Sequence, residues 1–381
     1  MTNNQPSQSS VRANVKVRYL DLRVSDLNLR QELLAATEKV LAHGELILGP
    51  EVRDLETKLA ERCGRKFAVG VSSGTDALYV ALRALDIGPG DEVITTPMSW
   101  IATLNSIVVA GATPVFVDIG PDLNINPDLI EDAITPRTKA ILPVHYTGSM
   151  CDMEAICAIG ERHGIIIIED AAQAFGAKSR TGKTAGSVGR LACFSMNSMK
   201  VFHSYGEAGA VLTDEEALNE KMVSLRYGGT VNREDCHYPS LNFRIQTLQA
   251  ALLLVELARI GQIIERRRQI ARFYMDQLKD VVVCPVEPPG AVHVYYTYSI
   301  QVDRRDELME FLTGKGIQTK IHHPILMPYH TAYRGRFKPT IPVAERLVKE
   351  ILSLPNHEKM TSAELDYVIA CIRDFYGKSS R

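Results

Sequence analysis

Four isoleucines run straight into two carboxylates at Ile165-Ile-Ile-Ile-Glu-Asp170. A β-branched run with no polar alternation reads as a strand covered on both faces, the kind a parallel sheet holds between two helical layers. A carboxylate ending such a strand is costly unless a partner meets it, so Glu169 and Asp170 are site candidates. Small residues follow in Ala171-Ala-Gln-Ala-Phe-Gly-Ala177, where a bulky group can approach and one amide, Gln173, can bond it.

The preceding chain alternates helix and strand. Apolar spacing predicts helices over Leu27–His43 and Pro50–Cys63, the second closed by Gly64. Strands are expected at Phe67–Val71, Asp91–Thr96, Thr113–Val117 and Ala140–Val144, with helices ending near Leu85 and Ala110. This is the alternation of an α/β fold with a mostly parallel sheet flanked by helices. Beyond a helical stretch from Gln246 to about Leu278, Val281–Val283, Tyr295–Val302 and Gly316–Ile321 read as strands of a small C-terminal α+β domain. The expected division is a flexible polar tail over 1–15, a large domain over 16–255 and a small domain over 256–381.

Chemistry concentrates at Cys193–Thr213. Lys200 has no charged neighbour from Leu191 to Tyr205, so partial burial and a nucleophilic amine are expected. Ser195 offers a hydroxyl to a phosphate, and Gly206 and Gly209 let backbone approach. At Ser72-Ser-Gly-Thr-Asp76, Gly74 and Thr75 fall on a strand-to-helix turn that presents free N–H groups to an anion, although the same residues also cap helices. Trp100, the only tryptophan, follows a strand at the edge where open sheets bind ligands, either as core filler or as a platform for a flat ring. An acid for a ring nitrogen (Asp170), an amide (Gln173), a phosphate hydroxyl (Ser195) and an amine for an aldehyde (Lys200) are together the needs of pyridoxal phosphate.

Composition narrows the partners. A net charge of -2 over 381 residues leaves no footprint for nucleic acid or an anionic membrane, and Arg266-Arg267-Arg268 reads as one solvated helix face. No bilayer-spanning run and no apolar leader are expected, which predicts a cytoplasmic protein. Seven cysteines with no Cys-x-x-Cys pair fit reduced thiols, with no metal site.

The chain resembles the DegT/DnrJ/EryC1/StrS family of sugar aminotransferases, of the fold-type I pyridoxal-phosphate architecture, from about residue 27 onward. The resemblance is carried by Gly49-Pro-Glu51, Ser73-Gly-Thr-Asp-Ala-Leu78, Gly90-Asp-Glu-Val93, Gly111-Ala-Thr-Pro-Val-Phe-Val-Asp118, Pro136-Arg-Thr-Lys-Ala-Ile141, Pro143-Val-His145, Glu169-Asp-Ala-Ala-Gln173, Phe194-Ser195 with Lys200, Gly206-Glu207, and Asn242-Phe-Arg244 before Leu248-Gln-Ala-Ala251. It implies that Lys200 forms the internal aldimine and shuttles protons, that Asp170 pairs with the pyridine nitrogen, and that Gln173 lies near the cofactor's hydroxyl. It also implies that Gly74, Thr75 and Ser195 hold the phosphate and that Trp100 stacks on the ring. Asn242 is similar to the asparagine that reaches the phosphate from a neighbouring subunit, implying a homodimer with shared sites. Arg244, His322 and His323 are candidate substrate contacts, the histidines equally readable as packing. Two departures, Gly189-Arg190 and Leu326-Met-Pro328, fall on loops expected to face substrate.

The implied function is transfer of an amino group from an amino acid, glutamate foremost, to a keto sugar, most plausibly nucleotide-linked. The alternatives are an amino-cyclitol transaminase, a cofactor-dependent sugar dehydratase, and a non-catalytic binding or regulatory relative. Lys200 stands where the family's dehydratases carry histidine, which favours transamination.

Overall fold

The computed structural model describes residues 15–377, so all but the last residue of the expected tail lies outside the described residues. Helix α1 (Leu27–His43) starts where the Asp26 carboxylate accepts the N–H groups of Asn28 and Leu29, and it ends at Gly44 in the left-handed conformation. Helix α2 (Pro50–Cys63) opens on proline and closes at left-handed Gly64. There follow β1 (Phe67–Val71), α3 (Gly74–Ala84), β2 (Glu92–Thr95), α4 (Ala102–Val109), β3 (Thr113–Phe116), β4 (Thr138–Leu142), α5 (Met153–His163), β5 (Ile166–Asp170), β6 (Leu191–Ser195) and β7 (Gly209–Thr213). These seven strands form one sheet in the order β1-β7-β6-β5-β4-β2-β3, in which only β7 runs antiparallel to its neighbours.

The isoleucine run lies in the middle of this sheet. Ile165 and Ile167 enter a core shared with α2 and α5, while Ile168 enters the opposite core with α3. Each buried side chain contributes roughly 1.5–3 kcal/mol, so a strand sandwiched in this way has one stable register.

Period-2 alternation also separates the two carboxylates. Glu169, with no exposure, turns away from Asp170 and accepts hydrogen bonds from His145 Nε2 at 2.9 Å, Gly186 N at 2.8 Å, and Val188 N and Gly189 N at 2.7 Å. His145 Nδ1 accepts the Cys151 N–H, so Nε2 carries the proton given to Glu169. Glu169 is thus a structural anchor rather than a site residue. One of the expected substrate loops is absorbed here too, since Gly189 serves Glu169 and Arg190 pairs with Glu215 on the surface.

After α6 (Glu216–Arg226) and a short hairpin of β8 (Thr230–Val231) and β9 (Asp235–Cys236), α7 (Thr247–Leu278) runs unbroken for 32 residues. Its first half completes the core under the sheet through Leu253, Leu257 and Ile264, and its second half enters another core through Ile270, Tyr274 and Leu278. Contrary to the expectation of no such run, α7 is long and apolar enough to cross a membrane by composition, yet half of that stretch is buried in these cores. Buried Arg267 also departs from the solvated face expected of Arg266–Arg268.

The second core is completed by β10 (Tyr298–Gln301), α8 (Arg305–Gly314), β11 (Ile351–Leu354) and α10 (Ser362–Phe375), while α9 (Pro342–Glu350) packs through Ala344 and Leu347 into a separate cluster with Met98 and Tyr146. Only β10 and β11 pair as a sheet. The segments expected as strands at Val281–Val283 and Gly316–Ile321 make isolated bridges instead, Val283 to Gln301, Ile317 to Val17 and Lys320 to Ser353. Val17 therefore belongs to the same core as residues near the other end of the chain.

Burial alone would raise the Glu169 pKa, but the His145 hydrogen bond and the Gly189 and Gly186 N–H groups outweigh it and hold the carboxyl below its ordinary value. Its contribution to stability is present above the unfolded-state pKa and is lost as pH falls through the lower folded value. Glu169→Gln, which presents an NH2 where only donors face it, is expected to cost about 3 kcal/mol at pH 7 and to flatten the acid limb of stability against pH. Urea unfolding between pH 3 and 7 measures both.

Candidate active site

The carboxyl ends of β1, β2, β4, β5 and β6 and the start of antiparallel β7 meet along one edge of the sheet, and the candidate residues gather there. Asp170, the last residue of β5, is 2% exposed. Its Oδ2 accepts a 2.8 Å hydrogen bond from Thr103 Oγ1 and its Oδ1 accepts the Ala172 N–H at 3.2 Å. Thr103 is aimed by α4 and itself lies 3.0 Å from Ser99 Oγ. Burial raises the Asp170 pKa, while the Thr103 and Ala172 hydrogen bonds and the charge of Lys200 oppose it, and the net shift is upward. A buried carboxyl group of this kind is made for a cationic partner such as a protonated ring nitrogen.

The anion cradle is built at the start of α3. Ser73 caps the helix by accepting the Asp76 N–H at 3.1 Å, and the N–H groups of Gly74 and Thr75, in the first turn, have no acceptor within the helix. The capping reading holds for Ser73, and the next two N–H groups stay open, as an anion site requires. The cradle depends on close packing. A Cβ on Gly74 would lie 2.4 Å from Ser195 Cβ, and one on Gly209 would lie 2.2 Å from Ser73 O. Two glycines thus bring the turn against β6 and β7 and set the Ser195 hydroxyl beside the open N–H groups.

Lys200 sits on a pinned excursion between β6 and β7. The antiparallel ladder continues beyond both strands through Met196 N to Ala208 O at 2.7 Å and Ser198 N to Gly206 O at 3.0 Å, and Ser204 N bonds Met196 O at 2.8 Å. Phe202, on the same excursion, stacks on Phe175 at 4.5 Å, which ties it to the turn carrying Gln173. Gln173 Oε1 accepts the Thr147 N–H at 3.0 Å, which leaves its NH2 group as a donor. Lys200 is half-buried, with Nζ 4.6 Å from the centre of the Tyr296 ring and its charge felt at Asp170.

Trp100 lies in the β2–α4 connection, 58% exposed, with its ring 5.7 Å from that of His323. It joins the mouth of the site rather than the core. His323 Nδ1 is 3.3 Å from the Tyr146 hydroxyl. His322 is buried between Tyr19 and Tyr296, a packing position behind the site. The departure at Leu326-Met-Pro328 is buried too, with Met327 N bonded to Pro97 O at 2.9 Å at the root of the Trp100 loop. Asn242 and Arg244 are the residues not brought in. They flank the outer side of edge strand β1, where Arg244 pairs with Val71 and bonds Asn242 Oδ1 at 2.8 Å, and neither touches Lys200, Asp170, Gln173 or Ser195 of its own chain.

Sequence reasoning missed Thr103, Thr147 and Tyr296. Ser99 and Thr103, four apart where a helix opens beside Trp100, were a readable signal; Thr147 acts through its backbone and had none. Together the residues fit pyridoxal phosphate, with two open N–H groups and a hydroxyl for the phosphate, Asp170 for the ring nitrogen, Gln173 as an amide donor and Lys200 as the amine.

Residues 28–373 match the model of the DegT/DnrJ/EryC1/StrS aminotransferase family. The chain is 40% identical to a "pleiotropic regulatory protein" of Geobacillus stearothermophilus, over 95% of this chain and 99% of that one. It is 36% identical to a UDP-2-acetamido-2-deoxy-3-oxo-D-glucuronate aminotransferase of Pseudomonas aeruginosa, over 93% and 99%. Further relatives, 37 or 38% identical, are named for dTDP- or UDP-linked sugars with the amino or oxo function at carbon 3. Among solved structures, the Bacillus subtilis protein NtdA with bound cofactor PMP superposes with a TM-score of 0.89 at 30% identity, covering 96% of this chain and 86% of that one.

The raised Asp170 pKa has a definite sign. Above the folded value the buried carboxylate costs the ligand-free protein stability, and below the unfolded value that cost vanishes. Asp170→Asn should leave the ligand-free protein at least as heat-stable at pH 7, while lowering turnover by about 10³-fold. Gly74→Ala should cost roughly 1–3 kcal/mol and displace Ser195, weakening cofactor retention by tenfold or more on dialysis. Calorimetry and absorbance of the dialysed protein check the pair.

Proposed function

The chain belongs to the DegT/DnrJ/EryC1/StrS aminotransferase family, and from that premise we propose that it moves an amino group from L-glutamate to the carbon-3 ketone of a nucleotide-linked sugar. It is a sugar aminotransferase of fold-type I, dependent on pyridoxal phosphate. The acceptor class is supported by the relatives named for UDP- and dTDP-linked sugars, and carbon 3 by the position those names share.

The observation that carries the reading is the convergence of buried Asp170, the Gly74–Ser195 cradle and Lys200 on one sheet edge. The cofactor, when bound, supplies an electron sink for the bonds at the donor's α-carbon. Asp170, buried and ready for a cation, holds the ring nitrogen protonated so that the sink stays open. Gly74, Thr75 and Ser195 anchor the phosphate and fix the ring's place. Lys200 would hold the cofactor through Nζ and, when its amine is free, would serve as the base and acid that moves the proton at the donor's α-carbon. The same group would serve the sugar ketone in the opposite direction.

We infer further that the working unit is a homodimer. Helix α1 exposes Leu27, Leu34 and Leu41 at seven-residue spacing, with Leu46 and Ile47 beyond its end, an apolar stripe suited to burial against a second copy. In such a dimer Asn242 and Arg244, at the sheet's outer edge, reach the neighbour's cradle.

An absorbance spectrum tests the proposal. The purified protein should be yellow, bleach with glutamate, and recover its band with a UDP- or dTDP-linked 3-keto sugar. Recovery only with a keto-inositol would redirect the acceptor to cyclitols, and a protein that stays colourless with added cofactor would sink the proposal. Lys200→Ala should lose the band's response to glutamate and lower turnover by at least ~10³-fold.

A further inference from the structure

Lys200 has a neighbour that the chemistry above does not employ. Tyr296, across whose face Nζ lies at 4.6 Å, comes from the chain leading into β10, yet it is fixed against the large sheet's loops. Val294 N bonds Gly148 O at 3.0 Å and Thr297 N bonds Thr147 O at 3.3 Å, bracketing Tyr296. A Cβ on left-handed Gly148 would come within 2.8 Å of Tyr296 N, so only glycine permits that approach. The turn that fixes Tyr296 is the one whose Thr147 N–H holds Gln173.

The ring is backed as well as bracketed. His322 meets it edge-on at 5.7 Å, and Tyr19 closes behind with its hydroxyl 3.4 Å from His322 Nδ1. Burial, with the charges of Lys320, His323 and Lys200, pushes the His322 pKa down to about 2, so it is a neutral packing group at working pH. The cavity behind, lined by Tyr19, Met199, Arg267, Tyr296 and His322, is about 10 Å³, no more than one water, so the ring has nowhere to retreat. The Tyr296 hydroxyl makes no hydrogen bond among the described residues, so the ring is held by its backbone and by packing, with its face to Lys200 Nζ.

Resting on the reading of this site as a pyridoxal-phosphate transaminase, we propose that Tyr296 is a positioning residue for Lys200. Its face receives the lysine stem and charge whenever the amine is not bonded to the cofactor, and keeps Nζ beside the atoms between which it carries protons. An ammonium over an aromatic face is attracted by the ring quadrupole, and a flexible four-carbon stem laid on a fixed surface samples fewer rotamers. Without the face, the freed amine wanders and must be found again in every half-reaction.

The test compares wild type, Tyr296→Phe and Tyr296→Leu in two measurements: the rate at which cofactor-free protein captures added pyridoxal phosphate, followed by stopped-flow absorbance, and kcat and KM for both substrates. The Leu variant should capture cofactor about tenfold more slowly and lose kcat in proportion, with KM within about twofold, while Phe recovers most of both rates. Equal unfolding temperatures of the three cofactor-free proteins exclude a merely structural effect. Leu at wild-type rates, Phe as slow as Leu, a loss confined to KM, or a loss tracking thermal stability would each overturn the assignment. A wild type that captures no cofactor would overturn the functional reading itself, an outcome distinct from all of these.

Discussion

A carboxylate buried at the end of a central strand, with no ion pair among the described residues, sets the terms for everything around Asp170. Left bare, such a charge costs several kcal/mol, so the fold must deliver donors to it from elements that have no other reason to be there. Helix α4 opens where Thr103 reaches Oδ2, and the chain turns after β5 so that the Ala172 N–H reaches Oδ1. Those two bonds leave the group short of full compensation, which is why its pKa stays raised. The ligand-free protein holds this residual strain, and a cationic partner would relieve it. Binding and stability would then be linked through one side chain.

The other carboxylate on the same strand shows the opposite solution. Glu169 gathers a histidine and three backbone N–H groups and has nothing left to offer a ligand. One residue apart, on opposite faces of one strand, the same chemical group becomes an anchor in one case and a working part in the other. The difference lies in how many donors each face supplies. Asp118 repeats the anchor's role after β3, where both its oxygens accept the N–H groups that open α9, Val343 at 2.8 Å and Ala344 at 2.9 Å.

The seven-stranded sheet and its layers were legible because most of the strands are buried on both faces and the helices are punctuated. The isoleucine run, Gly64 and the Ser73 cap each appear in the structure as their residue types demand, and the constellation of Asp170, Gln173, Ser195 and Lys200 is carried by residues within about thirty positions of one another. The C-terminal elements were read less well. Strand β11 follows α9 with no intervening turn, so no Gly, Pro or Asn marks the change. Val281–Val283 has strong strand propensity but finds only one bridging partner, and propensity without a partner does not make a strand. Glu169 misled because a motif does not say which face of a strand a residue occupies until the register is known. Tyr296 stayed hidden because its meeting with Lys200 joins distant parts of the chain, where no local pattern points.

The bridge between Val17 and Ile317 joins chain segments made roughly 300 residues apart. At a ribosomal pace of about 5–20 residues per second, the N-terminal strap waits on the order of 15–60 seconds for its partner to exist. Tyr19, which later closes behind His322, waits with it. The large sheet can assemble during that interval from the elements already made, but the second core cannot close. Residues made early are thus among the last to be seated, and the wall behind the lysine is completed only when the segments around Tyr19 and His322 meet.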